Sequence, residues 1–150
     1  DSRKWKLGDK QLIWLMLFSC KTIDKDNIKP LLHIFHGLHE ICGSYGSMRS
    51  GNKIGEDLGE NLTKYNKAVA DAWIDGIGDK FVWDNSPIVI AAEKRESIDP
   101  ATGRTDWSLS TMDRDHLTAP VPDIPNSDIN WLSIKWKEGH DISHRRIQIR

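Results

Sequence analysis

The sequence has few cysteines, no long apolar run and no excess of charge of one sign, and each absence excludes a class of protein. Two cysteines cannot form a disulfide framework or a four-cysteine zinc site, and we expect both to be free thiols. The longest apolar run has seven residues, too few to cross a bilayer, so no membrane span is expected. With 21 basic and 22 acidic residues, the chain has no broad field to attract nucleic acid, which is not an expected partner.

The length and composition are those of one globular domain. The chain has 150 residues, of which 38% are hydrophobic and 29% charged. It contains no internal repeat and no low-complexity tract. We therefore predict a single domain over residues 1–150. The chain begins at Asp1 and shows no apolar signal segment, so we expect that a preceding segment has been removed or omitted.

Four segments have the apolar pattern of β-strands. Leu12–Phe18 is apolar throughout, which predicts a central strand covered on both faces, as in a parallel sheet. Ser86–Glu93 predicts a second buried strand that begins at a proline. Ile129–Trp136 alternates in polarity, which is typical of a half-buried strand at a sheet edge. Residues 145–150 predict one more short strand.

Two segments between the first two strands have helical spacing. Apolar residues recur every three or four positions from Asn27 to Cys42 and again from Glu56 to Ile77, which predicts two helices. The glycine- and serine-rich stretch Gly43–Gly55 is predicted to be a loop, and such loops often border sites. The order strand, helix, loop, helix, strand predicts an α/β layer domain with a largely parallel sheet.

Cys20 is the first candidate site residue. It follows the predicted strand Leu12–Phe18, and ligands of parallel sheets gather at the carboxyl ends of strands. The neighbouring Lys21 would favour a thiolate, which is the nucleophilic form of cysteine. The alternative is that Cys20 is a small buried apolar residue without chemistry, since many buried cysteines are inert.

Histidines and acidic residues form two weaker candidates. His33, His36 and His39 are spaced by three on the first predicted helix, which leaves a metal site as a remote possibility beside ordinary surface or packing histidines. Asp113 and Asp115 beside His116 could bind a cation or orient an imidazole, or could simply form a solvated acidic loop. We predict no metal site and no cofactor.

Several motifs together resemble a known family. The run "LIWLMLFSCKT" and the following "HIFHGLHEICGSYGS" resemble the second half of a caspase-like domain of clan CD, of the gingipain and CHAT type. The later "AVADAWIDGI", "IVIAAE" and "DRDHL" are similar in order to an uncharacterised prokaryotic caspase-like family. The resemblance covers roughly residues 10–118.

The resemblance implies a fold and a set of site residues. The fold would be a caspase-like three-layer α/β/α sandwich with a mainly parallel sheet. Cys20 would be the nucleophile of a cysteine endopeptidase, a hydrolase acting on a peptide or protein substrate. The loop after the first helix would form one rim of the substrate cleft, and its first residues are the predicted substrate-binding set: Gly43, Ser44, Tyr45 and Gly46.

The catalytic histidine that the resemblance implies would precede Cys20. Residues 1–19 contain no histidine, so the chain would be the carboxyl half of a larger unit whose N-terminal strands are missing. An upstream segment or a partner chain would then supply the base. The alternative is a non-enzymatic interaction or surface-binding module on the same fold, in which Trp107 and Trp136 are the candidate contact residues.

Overall fold

The computed structural model describes residues 12–49, 51–78, 85–94, 97–98, 105–106, 111–125 and 127–149. Within these residues the strands, in chain order, are β1 (Trp14–Met16), β2 (Glu40–Ser44), β3 (Pro87–Glu93), β4 (Ser97–Ile98), β5 (Thr105–Asp106), β6 (Trp131–Glu138) and β7 (Asp141–Gln148). The helices are a 3₁₀ helix (Lys29–Ile34), α1 (Asn52–Thr63), α2 (Val69–Ile77) and α3 (Thr111–Arg114).

The main sheet is mixed and mostly antiparallel. Its strands lie in the order β1-β2-β3-β6-β7, and β4 pairs with β5 in a separate ribbon. Only β1 and β2 run parallel, whereas β2–β3, β3–β6 and β6–β7 are antiparallel. The predicted three-layer α/β/α sandwich with a mainly parallel sheet is therefore wrong. Parallel neighbours need crossover connections, and here β6 and β7 are instead joined as a hairpin.

Different elements pack against the two faces of the sheet. Cys42, Val89 and Ala91 point to the face that packs against α1 and α2, where Trp73 is fully buried. Ile41 and Ile90 point to the opposite face, which is covered by the 3₁₀ helix and its flanking irregular segments. The second face therefore lacks the helical layer that a three-layer sandwich requires.

The predicted helix from Asn27 to Cys42 is also wrong. The chain forms only the 3₁₀ helix, turns at Gly37 with a φ of +83°, and then enters β2. A positive φ is open to glycine but strained for other residues, so Gly37 ends the helical geometry. His33, His36 and His39 consequently do not share a helix.

The other predicted elements are partly confirmed. The predicted helix Glu56–Ile77 is two helices, since the chain breaks near Asn66, which has a φ of +45°. The strand predicted at Ser86–Glu93 is confirmed as β3, and β7 includes residues 145–148 of the strand predicted at 145–150. The strand predicted at Ile129–Trp136 is confirmed as β6, but β7 covers its edge. The strand predicted within Leu12–Phe18 is β1, a three-residue edge strand and not a central one.

Candidate functional site

Cys20 lies in a turn just beyond β1 and is exposed to solvent. Its Sγ accepts a hydrogen bond from the backbone N–H of Met48 at 3.2 Å, and the thiol can donate to the Met48 carbonyl at 3.4 Å. The backbone N–H of Lys21 donates to the carbonyl of Gly46, which ties this turn to the segment after β2. A backbone donor aimed at sulfur stabilises the thiolate relative to the thiol.

A cavity of about 420 Å³ opens beside Cys20. Arg49 lines this cavity together with Phe18 and Met48, so a positive charge and two apolar side chains border the thiol. Cys42, by contrast, is fully buried, and burial raises the pKa of its thiol well above the usual value. Both cysteines are free. Cys20 is therefore the accessible thiol of the described chain.

The predicted substrate-binding residues lie near Cys20 but outside its cavity. Gly43 and Ser44 are the buried end of β2, and the hydroxyl of Tyr45 donates to the carbonyl of Lys137. The carbonyl of Gly46 accepts hydrogen bonds from the Lys21 N–H and from the hydroxyl of Ser44. The cavity is lined instead by later residues of the same predicted loop and the start of the following helix: Met48, Arg49, Gly51, Ile54 and Gly55.

No histidine of the described residues lines the Cys20 cavity. His39 precedes β2, whereas Cys20 contacts the segment that follows β2. The strand residues Glu40–Ser44 alone separate these two ends by about 13 Å, given the rise of a β-strand. His39 therefore cannot accept the proton of Cys20.

His39 instead belongs to a second polar cluster at the opposite end of β1 and β2. Its Nδ1 lies 2.8 Å from Oδ2 of Asp115, and its Nε2 lies 2.8 Å from Oδ1 of Asp123. Asp115 also accepts hydrogen bonds from Nε1 of Trp14 at 2.7 Å and from the backbone N–H of Val121 at 2.9 Å. Burial lowers the pKa of His39, but the hydrogen bonds and charges of both aspartates outweigh burial and raise it.

This cluster tests the alternatives for the acidic residues. Asp115 is fully buried and orients an imidazole, which is one of the predicted possibilities, but the imidazole is that of His39. Asp113 pairs with Lys135, which also pairs with Asp71 on α2. Asp113 and Asp115 therefore do not form the solvated acidic loop that was the alternative prediction.

Glu40 and Glu93 are buried carboxyl groups on the helical face of the sheet. Glu93 accepts the backbone N–H groups of Thr111 and Met112 at the start of α3. Neither carboxyl oxygen of Glu40 has a hydrogen-bond partner among the described residues, and the residue is fully buried. Burial, followed by the charges of Asp115 and Glu93, raises the pKa of Glu40 well above its usual value. This environment therefore favours the neutral form of the carboxyl group.

A cleft of about 600 Å³ lies beside this second cluster. Asp123 forms part of its wall, within a segment that carries Pro120, Pro122 and Pro125. Basic side chains line it as well, namely Lys94, Arg114 and His116. The described protein therefore has two separate candidate sites, the Cys20 cavity and this cleft.

Comparison with known families identifies the chain. A family model described as a domain of unknown function (DUF6345) matches residues 1–137. The chain belongs to this family. No curated protein and no solved structure matches this chain.

Within the described residues, the DUF6345 domain has no cluster of three or more histidine, cysteine or acidic side chains arranged to hold a metal ion. His33, His36 and His39 were the candidate metal ligands. They do not lie on one helix, because the 3₁₀ helix that contains His33 ends at Ile34.

Among the described residues, no helix is long and apolar enough to span a membrane. Trp107, a candidate contact residue, lies outside the described residues.

The sequence alone did not predict the pairing of His39 with Asp115 and Asp123. The histidine and its two partners are 76 and 84 residues apart in the DUF6345 domain, so no local motif joins them. One signal was available: "LHEI" places a histidine and a glutamate between apolar residues that are buried. Polar residues inside a buried run need partners, which makes them candidates for a functional cluster.

Proposed function

We propose that this domain carries out cysteine-peptidase-type chemistry at Cys20, on a fold different from that of the caspases. The observation that supports the proposal is the exposed Sγ of Cys20, which accepts the Met48 N–H at the mouth of a cavity. A thiol that is both accessible and hydrogen-bonded by a backbone donor is more easily ionised than a buried one.

In this chemistry Sγ would attack the carbonyl carbon of a peptide bond, the C–N bond would break, and the amine would leave with the proton that the base took from the thiol. Water would then hydrolyse the acyl-enzyme, releasing the carboxylic acid and the thiol. The cavity of about 420 Å³ is at the small end of ligand sites, which fits a single substrate side chain. Its lining combines Phe18 and Met48 with Arg49, so an apolar or acidic side chain would be favoured. The base would be a histidine from an upstream segment or from a partner chain, as the family resemblance implies.

The reactivity of the two thiols tests the proposal. We would treat the wild-type protein and the Cys20→Ser and Cys42→Ala variants with iodoacetamide between pH 6 and 7, and locate the label by mass spectrometry. We expect Cys20 to react faster than free cysteine, because its exposed Sγ is held in place by the Met48 N–H at the mouth of a cavity that can take up the reagent. Cys42 is the internal control and should remain unlabelled while the protein is folded, since it is fully buried.

Labelling of Cys20 no faster than that of free cysteine would contradict peptidase-type chemistry. A panel of short fluorogenic peptides, tested on wild-type protein and on Cys20→Ser, would then show whether any hydrolysis depends on the thiol. Hydrolysis that persists in Cys20→Ser would also contradict the proposal.

A non-enzymatic binding module is the second candidate, and the surroundings of Trp136 favour it. Nζ of Lys25 lies 5.8 Å from the Trp136 ring centroid, and the Arg145 guanidinium lies 5.9 Å from it. Lys25 also lies 5.2 Å from the ring of Tyr45. Alternating aromatic and cationic groups are typical of surfaces that bind proteins. Slow labelling of Cys20 would favour this candidate over the first.

A further inference from the structure

The two sides of the His39 imidazole are held in different ways. On the Nδ1 side, Asp115 is fully buried and is itself fixed by Nε1 of Trp14 and the N–H of Val121. On the Nε2 side, the side chain of Asp123 is 73% exposed. His39 is only 3% exposed, so the Asp123 carboxylate is what separates Nε2 from solvent.

Because of this difference in exposure, Asp115 should stay bound to His39, whereas another group can replace Asp123. A buried ion pair with several hydrogen bonds is costly to break, because a charge would be left buried and unpaired. An exposed ion pair contributes little, because water and salt compete with it. Asp115 therefore keeps the orientation of the ring, and Asp123 can leave Nε2 at low cost.

The space next to Asp123 is suited to an anion. Asp123 lines the cleft of about 600 Å³, a volume that is usual for small-molecule sites. Three basic side chains line the same cleft, those of Lys94, Arg114 and His116, and Asp123 is the single acidic residue among its described lining. Lys94 also pairs with Asp128 at 2.9 Å, so Arg114 is the main fixed charge that would favour an anionic ligand once Asp123 moves away.

We propose that this cleft binds a small carboxylate whose carboxyl group takes the place of the Asp123 carboxylate on Nε2 of His39. Asp123 shows that a carboxylate oxygen can approach Nε2 to 2.8 Å in this environment. In the unliganded protein Asp123 acts as an internal competitor, so it lowers the affinity for an external carboxylate. The proline-rich segment around Asp123 supplies an apolar wall for the rest of the ligand.

Succinate binding to the wild-type protein and two variants tests this proposal. We would titrate succinate into wild-type protein, Asp123→Ala and Asp26→Asn at pH 6, by calorimetry and by following the imidazole proton signals of His39. We expect Asp123→Ala to bind succinate about tenfold more tightly than the wild type, because the competitor is gone. Asp26 is exposed and belongs to a different part of the surface, so Asp26→Asn makes the same charge change and should leave the affinity unchanged.

A third variant checks the position of the ligand. His39→Gln should lose succinate binding, and circular dichroism would establish that the variant is folded before it is compared. The His39 signals of Asp123→Ala should shift during the titration, which requires no His39 variant and locates the ligand independently.

Three results would overturn the proposal. The first is equal succinate affinity in Asp123→Ala and Asp26→Asn. The second is binding that leaves the His39 signals unchanged. The third is binding of inorganic phosphate without binding of succinate, which would exclude the carboxylate class. The variants retain Cys20, so a failure here is independent of the labelling result at the other site.

Discussion

Nδ1 of His39 lies 2.8 Å from Oδ2 of Asp115, although 76 residues separate the two in the chain. The same aspartate accepts the indole N–H of Trp14 on β1, and its carbonyl accepts the N–H of Val69 at the start of α2. Its Oδ1 accepts the N–H of Val121. Asp115 therefore connects the sheet edge and the proline-rich segment through its buried carboxylate, and the second helix through its backbone carbonyl.

We predict that Asp115→Ala lowers the free energy of unfolding by about 3–5 kcal/mol. The substitution leaves the imidazole of His39, the indole of Trp14 and the N–H of Val121 buried without their acceptor. Urea unfolding followed by tryptophan fluorescence measures the loss. Asp75→Ala, which removes the exposed pair with Lys67, is the control and should cost under about 1 kcal/mol. Equal effects of the two substitutions would contradict this prediction.

The stability contributed by His39 should depend on pH. Its folded-state pKa is raised above the ordinary 6.5, because the two aspartates outweigh the effect of burial. The folded state therefore binds a proton more tightly than the unfolded state, and this contribution is complete below about pH 6.5. It is lost as the pH rises through the raised folded-state pKa. As the pH rises, the difference in unfolding free energy between wild type and His39→Gln should therefore become smaller. The control His33→Gln changes an exposed histidine and should give a small difference that does not depend on pH.

The protonation of Glu40 should also make stability fall as the pH rises, but beginning at a lower pH than for His39. Its pKa is raised by burial well above 4.5, so above that pH the unfolded state loses a proton that the folded state retains. The folded state is thereby destabilised as the pH rises, by up to about 1.4 kcal/mol per pH unit. Glu40→Gln does not titrate, so its stability relative to wild type should increase from pH 5 to pH 7 in urea unfolding. Glu56→Gln, at an exposed helix position, should show no such trend.

Two glycine substitutions should have opposite signs. A Cβ at Gly43 would lie 2.5 Å from Oγ1 of Thr22 and 2.9 Å from Cδ1 of Ile23, so Gly43→Ala should destabilise by about 1–3 kcal/mol. A Cβ at Gly59, within α1, would meet nothing within 4 Å. Gly59→Ala should stabilise by about 0.5–1 kcal/mol because alanine favours the helix. Thermal unfolding of both variants gives the comparison, and a stabilising Gly43→Ala would refute the packing argument.

The strands that were predicted correctly are those whose pattern depends on burial alone. Pro87–Glu93 is apolar along most of its length and buried throughout, so its nature could be deduced from composition. The sequence around β2 misled the prediction for a physical reason. Ile41 and Cys42 point to opposite faces of the sheet and both are buried, so the strand lacks alternation and imitates the spacing of a helix.

The candidate sites were predictable only in part. The position of Cys20 after a strand could be deduced, but its hydrogen bond to Met48 joins residues 28 positions apart. The role of Asp115 in orienting an imidazole was one of several alternatives, and its partner was not identified. Both contacts depend on which strands lie side by side, and the mistaken parallel sheet placed those strands wrongly.

By itself the sequence determined the balanced charge, the small number of cysteines, the burial of strands such as Pro87–Glu93 and the position of Cys20 after a strand. Only the tertiary structure decided which of these residues meet. Local patterns report the burial of a residue and its secondary structure, because those depend on neighbours in the chain. Strand order and the pairing of His39 with Asp115 depend on contacts between distant segments, and these arise only when the whole sheet is assembled.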